Sequence, residues 1–149
     1  MLTKFAFAIT LFIILLPLIY LWYSSFQNYT LSNFPVGTVT IGNKSWNAYI
    51  ALTPLQQGQG YMYQHSIGNC NSRGNCIGML FPMNSTQNIC MWMHNTPIPL
   101  RQYWIENNRI VYAYNGLPFS NAIICHVGNA VIETNESIPL NSSVYFNYR

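Results

Sequence analysis

Three groups of residues in this chain have the types and spacing to do chemistry. The first is centred on Glu133, one of only three carboxylates in the chain, at the end of the apolar run Ala130-Val-Ile-Glu133. A carboxyl set among apolar residues must find hydrogen-bonding partners or change its protonation, and Asn95 and Thr96, in the stretch Asn95-Thr-Pro97, are the expected ones. Asn95, Thr96 and Glu133 together would form a small polar ligand-binding pocket or, alternatively, the acid-base centre of an enzyme. The structural alternative is that Glu133 only pins the turn. A glycosidase would need a second carboxylate opposite Glu133, and only Glu106 and Glu136 are available for that.

The second group is sulfur and imidazole. Met91 and Met93 alternate with Trp92 and His94, so on a strand the two thioethers share one face and the two rings the other. With Met62, Met79, Met83 and His65 near in sequence, such a set suits a soft ion such as Cu(I). Filling an irregular core is the commoner use of methionine, and the expectation is no resident metal and no cofactor. Cys125 and His126 adjoin, but neighbours on a strand point to opposite faces, which argues against a nucleophile-base pair. No catalytic residue is assigned. The leading expectation is noncatalytic binding of a ligand or protein partner through aromatic and amide side chains.

The third group is the four cysteines, Cys70, Cys76, Cys90 and Cys125, which allow three pairings. The segment Cys70-Asn-Ser-Arg-Gly-Asn-Cys76 is polar and suits a local staple, leaving Cys90 and Cys125 to tie distant strands. A zinc site with His94 or His126 is the rival, yet no C-x₂₋₄-C or H-x₃₋₅-H spacing occurs. Disulfides presuppose an oxidising compartment, and the start of the chain agrees. Residues Phe5 to Tyr23 are apolar, and at about 1.5 Å per residue a helix of that length spans roughly 28 Å, the depth of a bilayer core. Lys4 precedes it, Tyr20, Trp22 and Tyr23 gather at its far end, and no positive charge follows before Lys44. The expected placement is therefore a single-pass anchor over residues 1–23 with the C-terminal part outside the cytoplasm; the alternative is a cleaved signal peptide and a secreted protein.

Surface chemistry points the same way. Only 6% of residues are charged, against about 25% in ordinary soluble proteins, and there is no Asp. Asn-x-Ser/Thr sequons at Asn43, Asn84, Asn135 and Asn141 would let glycans supply the missing hydration; a fifth, Asn28, lies close to the expected membrane. The net charge of +3 is scattered over Lys4, Lys44, Arg73, Arg101, Arg109 and Arg149. Nucleic-acid readers cluster their cations, so nucleic acid is not an expected partner; the membrane, a small polar ligand or an envelope protein is. Acid unfolding works mainly by protonating paired carboxylates, and so few of them suit an acidic exterior, although biased base composition in the coding sequence would leave the same shortage.

The elements that must position these residues read mainly as strands. After a polar linker over residues 24–35, Val36–Ile41 and Trp46–Leu52 flank the turn signal Gly42-Asn43. Thr53-Pro-Leu-Gln56 is a capping box with Pro at the first helical position, predicting a short helix from about Pro54 to Tyr63. Strands are expected at Ile77–Phe81, Ile89–His94, Gln102–Glu106, Arg109–Tyr114, Ala122–Val127, Ala130–Thr134 and Val144–Tyr148, with Asn107-Asn108 as a two-residue turn. The fold class is thus mainly β (α+β), a compact barrel or sandwich over residues 36–149 with one short helix, preceded by a transmembrane helix.

Gly60-Tyr-Met62, Gly78-Met-Leu-Phe81 and Met91-Trp-Met-His-Asn-Thr-Pro-Ile-Pro-Leu100, in that order, resemble the uncharacterised family DUF192, also called UPF0127. Arg109-Ile-Val and Ala130-Val-Ile-Glu133 look like its following strands, and the resemblance runs from about Val36 to Tyr148. It implies a small, mainly β fold with one short helix, often behind an export segment, and brings no established reaction. Two positions depart from the family pattern: Arg101, where Asp is usual after Pro-Leu, and Gln64, where a basic residue is common. An ion pair or polar site between those positions would be lost here. The four cysteines look like additions to the family pattern.

Overall fold

The computed structural model describes residues 15–21 and 30–148. The expected anchor (1–23) and linker (24–35) fall largely outside them. Residues 15–21 are helical, and among the described residues no helix is long and apolar enough to cross a membrane.

Beyond a 3-10 turn at Leu31–Asn33, the chain forms β1 (Val36–Ile41), β2 (Lys44–Ile50), helix α1 (Pro54–Gln59), β3 (Cys76–Met91), β4 (Leu100–Glu106), β5 (Arg109–Gly116), β6 (Ile124–Thr134) and β7 (Val144–Asn147). All seven strands join one sheet in the order β5-β4-β6-β3-β2-β1-β7. Only β2 and β3 run parallel, and α1 lies on the crossover between them. The sheet curls into a half-barrel whose outer strands meet at one end, where Arg109 bridges Ser143 and the Val144 N–H donates to the Asn108 carbonyl at 2.8 Å.

Local sequence explains most of these elements. Gly42, with φ 58°, makes the β1–β2 turn, and Asn107 and Asn108, at φ 50° and 58°, supply the two left-handed residues that a tight β4–β5 hairpin needs. Thr53 caps α1 through a complete capping box with Gln56. The helix ends at Gln59, earlier than the expected Tyr63, because Gly60 turns left-handed at φ 47° and its N–H closes back on the Gln56 carbonyl. Two pairs of predicted strands are each a single strand: Ile77–Phe81 and most of Ile89–His94 fuse as β3, and most of Ala122–Val127 joins Ala130–Thr134 as β6. A register shift between Pro82 and Gln87 absorbs the polar middle of β3.

Both faces of the sheet are covered. Val39, Ile50, Leu80, Ile105, Ile132 and Val144 pack together on one side. Tyr49, Met79, Phe81, Met93, Trp104 and Val131 pack on the other, the side to which α1 and the loops contribute. The Trp104 indole N–H donates to the Ile89 carbonyl at 2.8 Å inside that second layer. Both disulfides have the pairing favoured from sequence, Cys70 with Cys76 and Cys90 with Cys125, so no thiolate remains for zinc. The second joins directly paired residues of β3 and β6. Asn43, Asn84, Asn135 and Asn141 are all exposed.

Candidate functional site

Glu133 occupies the second layer. On β6 it is paired with Met79 of β3 on one side and Gln102 of β4 on the other, so its side chain rises from the middle of the sheet and is only 4% exposed. The backbone makes room for it through Gly78. A Cβ there would stand 2.0 Å from the Glu133 carbonyl oxygen, and φ is +143°, a conformation that side chains rarely tolerate.

The Gln102 amide donates to Glu133 Oε1 at 2.9 Å and reaches the Met93 sulfur at 3.6 Å. Gln102 Oε1 is itself buried without a partner. Burial outweighs the single hydrogen bond from Gln102 and pushes the Glu133 carboxyl up to about 7, because the charged form loses its hydration. Burial also raises the Tyr61 hydroxyl well above its ordinary value, with electrostatic repulsion from Glu133, and less from Tyr49, adding to the effect. Tyr61 donates to the Ile67 carbonyl at 3.1 Å.

Above Glu133 opens a cavity of about 170 Å³, lined among others by Gln59, Tyr61, Trp92, His94 and Thr96. Its walls are the two sequence motifs docked on each other. The Tyr63 N–H donates to the Asn95 carbonyl at 2.8 Å, and the Asn95 side-chain amide donates to the Tyr63 hydroxyl at 2.8 Å. Asn95 accepts φ 54° to make this turn, which Asn does at small cost. At the mouth Trp92 stacks on His94 with ring centroids 4.8 Å apart, and His94 Nδ1 is held at 2.8 Å by Asn121 Oδ1. The Phe119 N–H in turn donates to the Thr96 carbonyl at 3.0 Å, fastening the 117–123 loop to the motif.

The residues expected to meet therefore separate in part. Thr96 and Glu133 line one cavity, but the Thr96 hydroxyl donates to the His94 carbonyl at 3.3 Å. Asn95 faces Tyr63 and does not line the cavity. The carboxyl's partner is Gln102, not Asn95 or Thr96. Neither Glu106 nor Glu136 lines the cavity, so the two-carboxylate arrangement of a glycosidase does not arise there.

Of the methionines, Met79 and Met93 are fully buried in the core. Met62 and Met91 line the cavity beside His94, while His65 is exposed. Gln102 and Tyr61 were not singled out from sequence. Gln102 carried a signal, since it is a polar residue in the apolar strand Gln-Tyr-Trp-Ile, the same anomaly that marked Glu133.

The chain matches the DUF192 family, described as "Uncharacterized ACR", over residues 37–141. It belongs to the DUF192 family. No curated protein matches the chain. Among solved structures, a Sinorhizobium meliloti 1021 protein provisionally named a transcription regulator is similar, with a TM-score of 0.66 at 23% identity over 76% of this chain and 95% of that one. A Novosphingobium aromaticivorans DSM 12444 protein of unknown function is similar with a TM-score of 0.62 at 22% identity, over 74% of this chain and 84% of that one. At such identity the likeness is one of fold. Within DUF192 terms, the motifs 60–62 and 92–96 are the walls of the cavity and the motif 78–81 is the strand beside Glu133. Arg101 is on β4 next to Gln102, paired with Thr134 and Asn115, and lies outside the cavity lining.

Proposed function

We propose that this DUF192 domain is a noncatalytic binding module displayed outside the cytoplasm on an N-terminal membrane anchor, and that it holds a small hydrogen-bonding ligand in the cavity above Glu133. The observation that carries the binding reading is a carboxyl withdrawn from water at the floor of a cavity whose other polar side chains are amides, two hydroxyls, an indole and an imidazole. Burying a carboxyl without its full set of partners is unfavourable, and a ligand that completes its hydrogen bonding recovers that cost. Among the described residues no second carboxylate lines the cavity and no free thiol remains to carry a reaction. Support for the exterior placement comes from the two disulfides, which persist in oxidising surroundings, and from four exposed sequons.

Ligand-observed NMR on the full chain, screening small polar compounds, tests the binding reading: hits should be lost in Glu133→Gln with the fold intact. Intact mass spectrometry of native material tests the placement. Oxidised cysteines and attached sugar support it, whereas free thiols throughout and no sugar would refute it.

A second reading has one observation in its favour. A carboxyl poised at about 7 is suited to move protons near neutral pH, so an enzyme using Glu133 with Thr96 at its side is the alternative. Turnover of a bound compound that disappears in Glu133→Gln would decide for it.

A further inference from the structure

We infer that the ligand class of this cavity is a small organic cation, an alkylammonium group seated between the Glu133 carboxylate and the aromatic side chains of the cavity wall. The inference rests on the binding reading and adds the charge of the ligand to it. Three observations carry it. First, Glu133 Oε1 is taken by Gln102, Oε2 is turned toward Gly60, and no Lys or Arg among the described residues lines the cavity. A desolvated carboxylate without a counter-charge is costly and is satisfied best by a cation brought to it.

Second, Tyr61, Phe81 and Trp92 all line this small space, and aromatic faces attract ammonium groups through their quadrupoles. Third, the carboxylate and a ring converge on one spot. From the position a Cβ on Gly60 would occupy, Phe81 Cζ is 3.3 Å away and Glu133 Oε2 is 3.8 Å away. Because Gly60 carries no side chain, nothing projects from it between the ring and the carboxylate. An anionic ligand would meet Glu133 with nothing to neutralise it, and a neutral polyol would leave the carboxylate charge uncompensated.

The other titratable groups facing the cavity are His94, at the mouth and bonded to Asn121, and Tyr61, whose raised pKa keeps it neutral. The cation therefore competes with a proton for Glu133. Binding should weaken on acidification, and near neutral pH it should release a proton to the buffer.

Isothermal titration of the full chain in nonionic detergent with choline, with its uncharged isostere 3,3-dimethylbutan-1-ol and with methyl glucoside tests this. Choline is expected to bind at least about tenfold more tightly than the isostere. That preference should vanish in Glu133→Gln, and choline affinity should drop at least about fivefold in Trp92→Ala, where an exposed ring is removed without touching the core. Choline affinity should also fall between about pH 8 and about pH 5.5, with proton release that Glu133→Gln abolishes. Equal binding of choline and its isostere, or binding of methyl glucoside without choline, overturns the cation assignment and leaves the cavity as a binding site. Silence from all three probes overturns both.

Discussion

Gln102 and Glu133 face each other as directly paired residues of β4 and β6, and the amide of one donates to the carboxyl of the other at 2.9 Å within the sheet's buried layer. This bond lowers the carboxyl's pKa while burial raises it, and burial prevails. Replacing Gln102 by Leu should move the Glu133 midpoint further up from about 7, read from the side-chain carboxyl carbon by NMR. The stability loss should be about 1–3 kcal/mol at alkaline pH, where the charged carboxylate loses its donor, and smaller at acid pH.

Glu133 also ties stability to pH with a definite sign. Its folded midpoint of about 7 lies above the ordinary value of 4.5, so between those limits the folded state holds a proton that the unfolded state has released. Its stabilising contribution is complete below about 4.5 and lost progressively up to about 7. Urea unfolding should show the protein gaining on the order of 3 kcal/mol from this group on acidification across that window. Glu133→Gln should flatten the dependence.

Gly78 stands against the Glu133 backbone, and Gly78→Ala combines a collision with the carbonyl oxygen and a strained φ. The expected loss is at least about 3 kcal/mol, with β3 and β6 forced apart where the carboxyl emerges. Thermal unfolding gives the loss. Amide exchange at residues 131–134 should accelerate more than in β5, at the far edge of the sheet.

The disulfides should differ in both worth and access. Cys90–Cys125 closes 35 positions of chain and Cys70–Cys76 closes 6, which the chain-entropy relation converts to about 4 and about 2 kcal/mol. Paired Cys→Ser variants compared by denaturant unfolding check this order. Cys90 and Cys125 are both exposed, whereas Cys70 is buried. Limited reduction followed by alkylation and mass mapping should label the β3–β6 bridge first.

Much of this was legible in the residues because local rules and tertiary structure agree. The Asn107-Asn108 turn, the Thr53 capping box and the β1–β2 hairpin are all specified within a few residues. The expected helix overshoots because Tyr61 and Met62 fit a helical continuation, whereas Gly60 uses its freedom to stop the helix and bring Tyr61 over the carboxyl. The split of β3 came from Met83-Asn-Ser-Thr-Gln87, whose polarity resembles a loop but occupies a strand interrupted by a register shift. Glu133 announced itself by being charged in an apolar strand. Its partner could not be named from sequence, since the adjacency of β4 and β6 depends on strand order. Asn95 and Thr96 were near in space, but the turn that positions Thr96 commits Asn95 to Tyr63.

The joining of Arg109 to Ser143 has a consequence for how copies of this chain behave together. Strands at the margin of a sheet offer unsatisfied amides to any passing chain, and many proteins deter such templating with lysines and other charges. A polypeptide with 6 basic and 3 acidic side chains has little of that deterrent to deploy. By stitching the start of β5 to the approach to β7, it occupies with its own backbone part of the margin where fibrous self-association would begin.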